Sequence, residues 1–235
     1  MRWRTGLLYL CTLLCMSPQN SEPVSITQEP YHHLILENPF VRVFAVEVPR
    51  LQSTLSTKYE HNYVTVYLGD SKVARSAAGS SFLTTTHYDG ELRLFYGGKI
   101  ATERNEDATA SYRNITVELL KKGGDWTWNA ESQKWGYPPF DQLGAPLGLS
   151  TTSMQSVDMG GMHAHRIQIM PGDNRSLEKH GPALLVTLSD LELNTDRKEG
   201  GIRRQRGQIE WLADGLPANL TNTAKDPARF IVLEF

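Results

Sequence analysis

Few residues in this sequence stand at spacings that chemistry could use. His163-Ala164-His165 places two imidazoles two residues apart, so on a strand both would point to one face, as a metal-ligand pair does. A catalytic metal needs about three protein ligands, and no carboxylate stands at a telling spacing from this pair, so it reads as a surface or packing feature. His32 and His33 are adjacent, and their rings would diverge on a strand; they read as structural. Thr57, Tyr59 and His61 alternate and would share one strand face. There a histidine and a tyrosine have the chemistry of general base and acid, set against the simpler reading of a strand face whose polar groups are hydrogen-bonded to one another. Arg197-Lys198 and Arg203-Arg204-Gln205-Arg206 form a basic loop, diluted by Glu199 and two glycines, which reads as a solvated turn rather than an anion site. No glycine-rich phosphate loop, Gly-x-Ser-x-Gly elbow or Cys/His zinc framework is present.

The elements that must hold these residues are strands. Short apolar runs separated by turn residues cover Phe40–Val48, Tyr63–Leu68, Glu91–Tyr96 and Ile115–Leu120, then Arg166–Met170, Ala183–Leu188, Gln208–Leu212 and Phe230–Phe235. Several alternate apolar with polar residues, and no long 3.6-residue pattern follows residue 36. The class is all-β, with spacing suited to a sandwich or barrel.

The chain also repeats itself. Gly90, Leu92, Leu94, Gly98, Ala101 and Asn105 match Gly207, Ile209, Trp211, Gly215, Ala218 and Asn222 at a constant separation of 117 residues. Arg113 and Glu118 match Arg229 and Glu234 at 116, and Val64, Val66, Leu68 and Asp70 match Leu184, Val186, Leu188 and Asp190 at 120. Separations that drift by a few residues are what turn-length changes between duplicated β units produce. Between the copies lies 121–153, with Trp126, Trp128, Trp135 and Tyr137 followed by Pro138-Pro139. It reads as an ordered connector whose rings pack at the junction, with an aromatic platform for a sugar or peptide as the alternative.

With these residues in place the chain resembles the cupin superfamily in its two-domain bicupin form, over about residues 30–235. Glu29 to Phe44 is similar to the opening strand of small bacterial cupin-like proteins. Gly90–Asn105 and Gly207–Asn222 are similar to the second cupin motif, roughly G-x5-P-x-G-x2-H-x3-N. The resemblance implies two tandem jelly-roll β-barrels, at 30–120 and 154–235.

Cupins usually bind a divalent metal through His-x-His and Glu of a first motif and His of a second, a donor set suited to Fe, Mn, Ni or Zn. This chain departs from that pattern. Thr57 and Tyr59 stand for the histidines, Tyr63 or Val64 for the glutamate, and Ala101 for the last histidine. In the second copy the same positions fall on Leu177, Lys179, Ala183 or Leu184, and Ala218. His61 and His180 are lone histidines, and a lone histidine makes no metal site. The expectation is therefore no metal and no cofactor. Tyr63, Arg93 and Glu103 would join Thr57, Tyr59 and His61 as ligand-binding candidates in a metal-free polar pocket of the first barrel.

The N-terminus reads as a secretory signal over 1–20. Arg2 and Arg4 precede an apolar stretch, Gly6 to Met16, too short for the ~20 residues a bilayer requires. Both cysteines, Cys11 and Cys15, lie within it, so a processed chain would hold neither disulfide nor thiolate chemistry. The net charge of −2 excludes the strong basic bias of a dedicated nucleic-acid binder, and the 40% hydrophobic content excludes wholesale disorder. The chain thus reads as an exported, periplasmic or secreted, non-catalytic cupin-like protein, small-molecule-binding or structural. It has no nucleic-acid partner and no membrane span in the mature chain, and a homodimer stays open. The alternative is an enzyme acting on a small molecule such as a sugar through His61 and Tyr59, metal-free or with an atypical metal set.

Overall fold

The computed structural model describes residues 22–78, 80–120, 142–143, 150–159, 162–178, 181–196 and 200–235. Among them are twenty strands, one 3-10 turn and no α-helix. The aromatic residues of the connector lie outside the described residues, as do Lys179 and His180.

Each half is a pair of facing sheets. In the first half β2 (His32–Glu37), β3 (Val41–Val48), β5 (Tyr63–Tyr67), β8 (Leu92–Phe95) and β10 (Tyr112–Leu119) form an inner sheet in the order β8-β5-β10-β3-β2. The connector adds β11 (Gln142–Leu143) to the β8 edge. The outer sheet has β1 (Val24–Ser25), β4 (Thr57–Tyr59), β6 (Ser71–Ala77), β7 (Leu83–His87) and β9 (Lys99–Asn105), ordered β1-β4-β9-β6-β7.

The second half repeats this arrangement without counterparts of β1 and β11. Its inner sheet runs β12-β13-β20-β15-β18, from β12 (Ser153–Met159), β13 (Met162–Ile169), β20 (Ala228–Glu234), β15 (Ala183–Thr187) and β18 (Ile209–Leu212). Its outer sheet runs β14-β19-β16-β17, from β14 (Asn174–Ser176), β19 (Asn219–Asn222), β16 (Leu191–Thr195) and β17 (Ile202–Arg204). The eight apolar runs of the sequence fall on β3, β5, β8, β10, β13, β15, β18 and β20.

The duplicated residues do the same work in both copies. Asn105 Nδ2 donates to the carbonyls of Val48 and Ala110 at 3.1 and 2.9 Å, and Asn222 Nδ2 donates to those of Ile169 and Asp226, both at 2.9 Å. Each asparagine carbonyl also accepts a backbone N–H two residues on, from Asp107 and Ala224. Gly90 and Gly207 turn with φ of +77° and +81°, a conformation few side chains accept, and their N–H groups donate to Tyr67 and Thr187.

The largest apolar cluster lies between the halves. Val64, Val66 and Val117 of the first inner sheet meet Leu184, Val186 and Ile231 of the second, all at 0% exposure. Alternation along each strand then sends the intervening residues into the barrels: Tyr63 and Tyr67 into the first, Ala183 and Leu185 into the second. Each fully buried aliphatic side chain contributes roughly 1.5–3 kcal/mol, and each exposed ion pair about 0–1 kcal/mol. The apolar layer, not its charged rim, therefore holds the two halves together.

Candidate functional site

Inside the first barrel the expected site residues are partly brought together. Tyr59 and Tyr63 stack at 4.3 Å between ring centroids, and Phe95 stacks on Tyr63 at 5.0 Å. Arg75, from β6, lies 4.4 Å over Phe95, donates to the Tyr63 hydroxyl and reaches Glu103 at 3.0 Å. Burial pushes the Tyr63 phenol up to about 12, the opposing pull of Arg75 notwithstanding. It also raises the phenols of Tyr59, Tyr67 and Tyr112 well above the ordinary value. The rings are 1–2% exposed. This interior is packed with buried aromatic rings.

Three of the six candidates have other partners. Thr57 is fully buried, but its hydroxyl donates to the carbonyl of Leu55, 3.0 Å away. Arg93 is tied to Glu91, which also meets His87 at 3.3 Å. His61 does not share the face of Thr57 and Tyr59, because β4 ends at Tyr59 and His61 lies in the following turn, its backbone against Gly97.

The histidine beside Tyr59 is instead His32, whose Nε2 lies 3.4 Å from the phenol and whose Nδ1 is 2.6 Å from Glu29. Glu29 also accepts the N–H groups of Tyr31 and Leu55. Burial of its carboxyl opposes ionisation, yet these hydrogen bonds and His32 together hold it below the usual carboxylate range. Sequence reading missed Arg75 because β6 carries too little apolar pattern to register as a strand. It missed the Glu29–His32 pair because the N-terminal segment folds back over the barrel.

The positions that hold metal in cupins can now be read from side-chain direction. Tyr63, not Val64, faces the first barrel, and Ala183, not Leu184, faces the second. Thr57 pairs with Ala101 across β4 and β9, and Leu177 donates its N–H to Ala218 at the equivalent place. Alanine and leucine have no donor atom, and phenols raised by burial stay protonated at neutral pH. These residues do not fit a catalytic metal. Among the described residues no three His, Cys, Asp or Glu side chains stand close enough to hold one.

The second barrel is different inside. A cavity of about 270 Å³ is lined by His165, Arg175, Leu177, Glu178, Leu216 and Glu234, with Met154 and Ile167 beneath. His165 Nε2 lies 3.2 Å from Glu234, and its Nδ1 lies 2.7 Å from the Ser156 hydroxyl. The ring thus bridges a carboxylate and a hydroxyl. This corrects the reading of His163-Ala164-His165 as lacking a carboxylate: Glu234 reaches His165 from β20, sixty-nine residues on in sequence.

No family model matches the sequence, and no curated protein matches it by sequence. Solved structures do match. An oxalate decarboxylase aligns over 83% of this chain and 69% of its own at 10% identity and a TM-score of 0.56. The YhaK protein of Escherichia coli aligns over 86% and 90% at 14% identity, again at 0.56, and a cupin 2 conserved barrel domain protein of Leptotrichia buccalis over 86% and 87% at 10% identity and 0.53. The fold is that of the bicupins. Within it the chain has paired barrels, each with its glycine-to-asparagine turn.

Proposed function

We propose that this bicupin is an exported protein that binds a small organic molecule without metal, using the second barrel as its chamber and the first as a filled structural copy. The carrying observation is the difference between the two interiors. The first is closed by the Tyr59–Tyr63–Phe95 stack with Arg75 and Glu103 inserted. The second keeps a cavity in which a few polar groups converge on an apolar wall, the usual form of a small-molecule site. The apolar segment at 1–20 supports export.

Leu177→Trp tests the chamber, since Leu177 is only half-buried and a larger ring there would occupy the cavity. A ligand-observed NMR screen of small organic molecules should give hits with the natural protein that disappear in this variant. Metal content after incubation with Fe, Mn, Ni and Zn salts should stay well below about one equivalent. Hits unaffected by Leu177→Trp, or one equivalent of metal lost on His61→Ala or His165→Ala, would overturn the proposal.

A second reading keeps acid–base catalysis in the first barrel, on the buried chain Glu29–His32–Tyr59. It requires Tyr59, 2% exposed, to become accessible. A turnover assay that loses its signal in both Tyr59→Phe and His32→Gln would move the reading there.

A further inference from the structure

Among the described residues Arg175 is the cation whose side chain has a buried nitrogen without a hydrogen-bond partner. It lies on β14 and lines the second barrel's cavity, yet its Nε is buried with no hydrogen-bond partner, and among the described residues no ion pair engages its guanidinium. Several other arginines are paired: Arg42 with Glu37 and Glu118, Arg75 with Glu103, Arg204 with Glu210, Arg206 with Asp89. A buried guanidinium N–H left without an acceptor costs about 1–3 kcal/mol or more. The two carboxylates that share the cavity do not relieve it. Glu234 is bonded to His165, and Glu178 is engaged elsewhere.

The remainder of the wall decides what would accompany an acceptor. Met154, Ile167, Leu177 and Leu216 are aliphatic, and no Phe, Tyr or Trp lines the cavity among the described residues. A guanidinium fork suits the two oxygens of a carboxylate, and an aliphatic wall suits a short alkyl chain. The cavity is slightly smaller than the ~300–1,000 Å³ range of drug-sized sites, which keeps the ligand short. Resting on the proposal that the second barrel is the binding chamber, we infer that its ligand is a short aliphatic carboxylate, its head group held by Arg175 and its chain against Leu177 and Leu216.

The probes are hexanoate and its neutral counterpart hexanamide, measured by calorimetry and thermal shift on the natural chain, Arg175→Gln, Arg175→Lys and Leu177→Trp. Hexanoate should bind at least about tenfold more tightly than hexanamide, since a hydrogen bond to a charged group is worth more than a neutral one. Arg175→Gln should erase that preference, and Arg175→Lys should retain part of it. Both Arg175 variants remove the unpartnered Nε–H, so they should unfold no lower than the ligand-free natural chain. Equal binding of both probes, lost together in Leu177→Trp, would overturn the carboxylate assignment and leave the chamber in place. Binding of both that Leu177→Trp does not alter would overturn the chamber and this inference together. A preference for hexanoate that survives Arg175→Gln would assign the head group to another residue and also refute the inference.

Discussion

Asp89 and Arg206 occupy the same position of the same turn, one in each copy, and they are bonded to each other across the junction at 2.8 Å. Each turn is anchored alike: Asp70 accepts the N–H of Asp89, and Asp190 accepts that of Arg206. The adjoining glycines face equivalent neighbours, Gly90 meeting Leu188 and Arg229, and Gly207 meeting Leu68 and Arg113. The halves therefore meet through one surface used twice, as in an isologous dimer, and the exchange of acid for base at a single turn position lets that surface pair with itself. Arg206, which as sequence belongs to a solvated basic loop, is an interface residue.

Asp89 also meets Arg229 at 3.1 Å. Arg206 is half-exposed, so Arg206→Ala should cost less than about 1 kcal/mol. Asp89→Ala leaves two cations without their partner and should cost about 1–2 kcal/mol. Asp89→Arg should cost more, and the exchange Asp89→Arg with Arg206→Asp should recover part of it. Urea unfolding in a double-mutant cycle measures this, and a coupling energy of zero would sink the pairing.

Asn105 and Asn222 should prove interchangeable in energetic terms. Each donates to two backbone carbonyls and accepts one N–H while 0–1% exposed. Replacement by alanine strands buried acceptors at about 1–3 kcal/mol each. Asn105→Ala and Asn222→Ala should each cost about 2–4 kcal/mol by denaturant unfolding. A large loss at one and none at the other would mean the duplication is not energetically symmetrical.

Two buried carboxyls should bend the pH–stability curve in opposite directions. Glu29 is held low, so the unfolded chain takes up its proton first as pH falls. Stability from Glu29 is present above the ordinary carboxylate value near pH 4.3 and is lost as pH falls through the lower folded value. Glu118 is raised, chiefly by burial and against the pull of Arg42 and His61, and one of its oxygens has no partner. Its contribution is lost as pH rises from the ordinary value through the raised one. Glu29→Gln should therefore flatten the acid limb, and Glu118→Gln should gain on the natural chain between pH 4 and 7. Melting temperatures across pH give the answer, and parallel curves for all three proteins would count against both assignments.

Chain length gives a further expectation. Val24 and Ser25 pair in parallel with Thr57 and Lys58, Ile26 is 2% exposed, and Glu29 bonds His32. A chain beginning at Glu22 should fold without disulfides, whereas one beginning at Pro30 should lose several kcal/mol, since it gives up one buried aliphatic and a buried hydrogen-bonded pair. Circular dichroism and urea unfolding distinguish the two. Equal stability would show that this segment merely decorates the first barrel.

The residues themselves determined the all-β class and the duplication. They did so because the inner-sheet strands are covered on both faces, by the opposite half and by their own barrel. Such strands are written as near-continuous apolar runs, like Tyr63–Tyr67 and Ala183–Thr187. The outer-sheet strands turn one face to water, so β7, with Leu83-Thr84-Thr85-Thr86-His87, and β16, with Leu191-Glu192-Leu193-Asn194-Thr195, carry too little apolar signal to read. Side-chain partnership was decided only by tertiary structure. Arg75 joins Tyr63 and Glu103, His32 takes the place expected of His61, and Glu234 reaches His165, because antiparallel pairing and the facing of two sheets bring together residues far apart in sequence. Which barrel is filled and which is open was likewise a matter of packing. It turns on whether neighbouring side chains leave room, and Tyr59, Tyr63 and Phe95 do not, whereas Leu177 and Leu216 do.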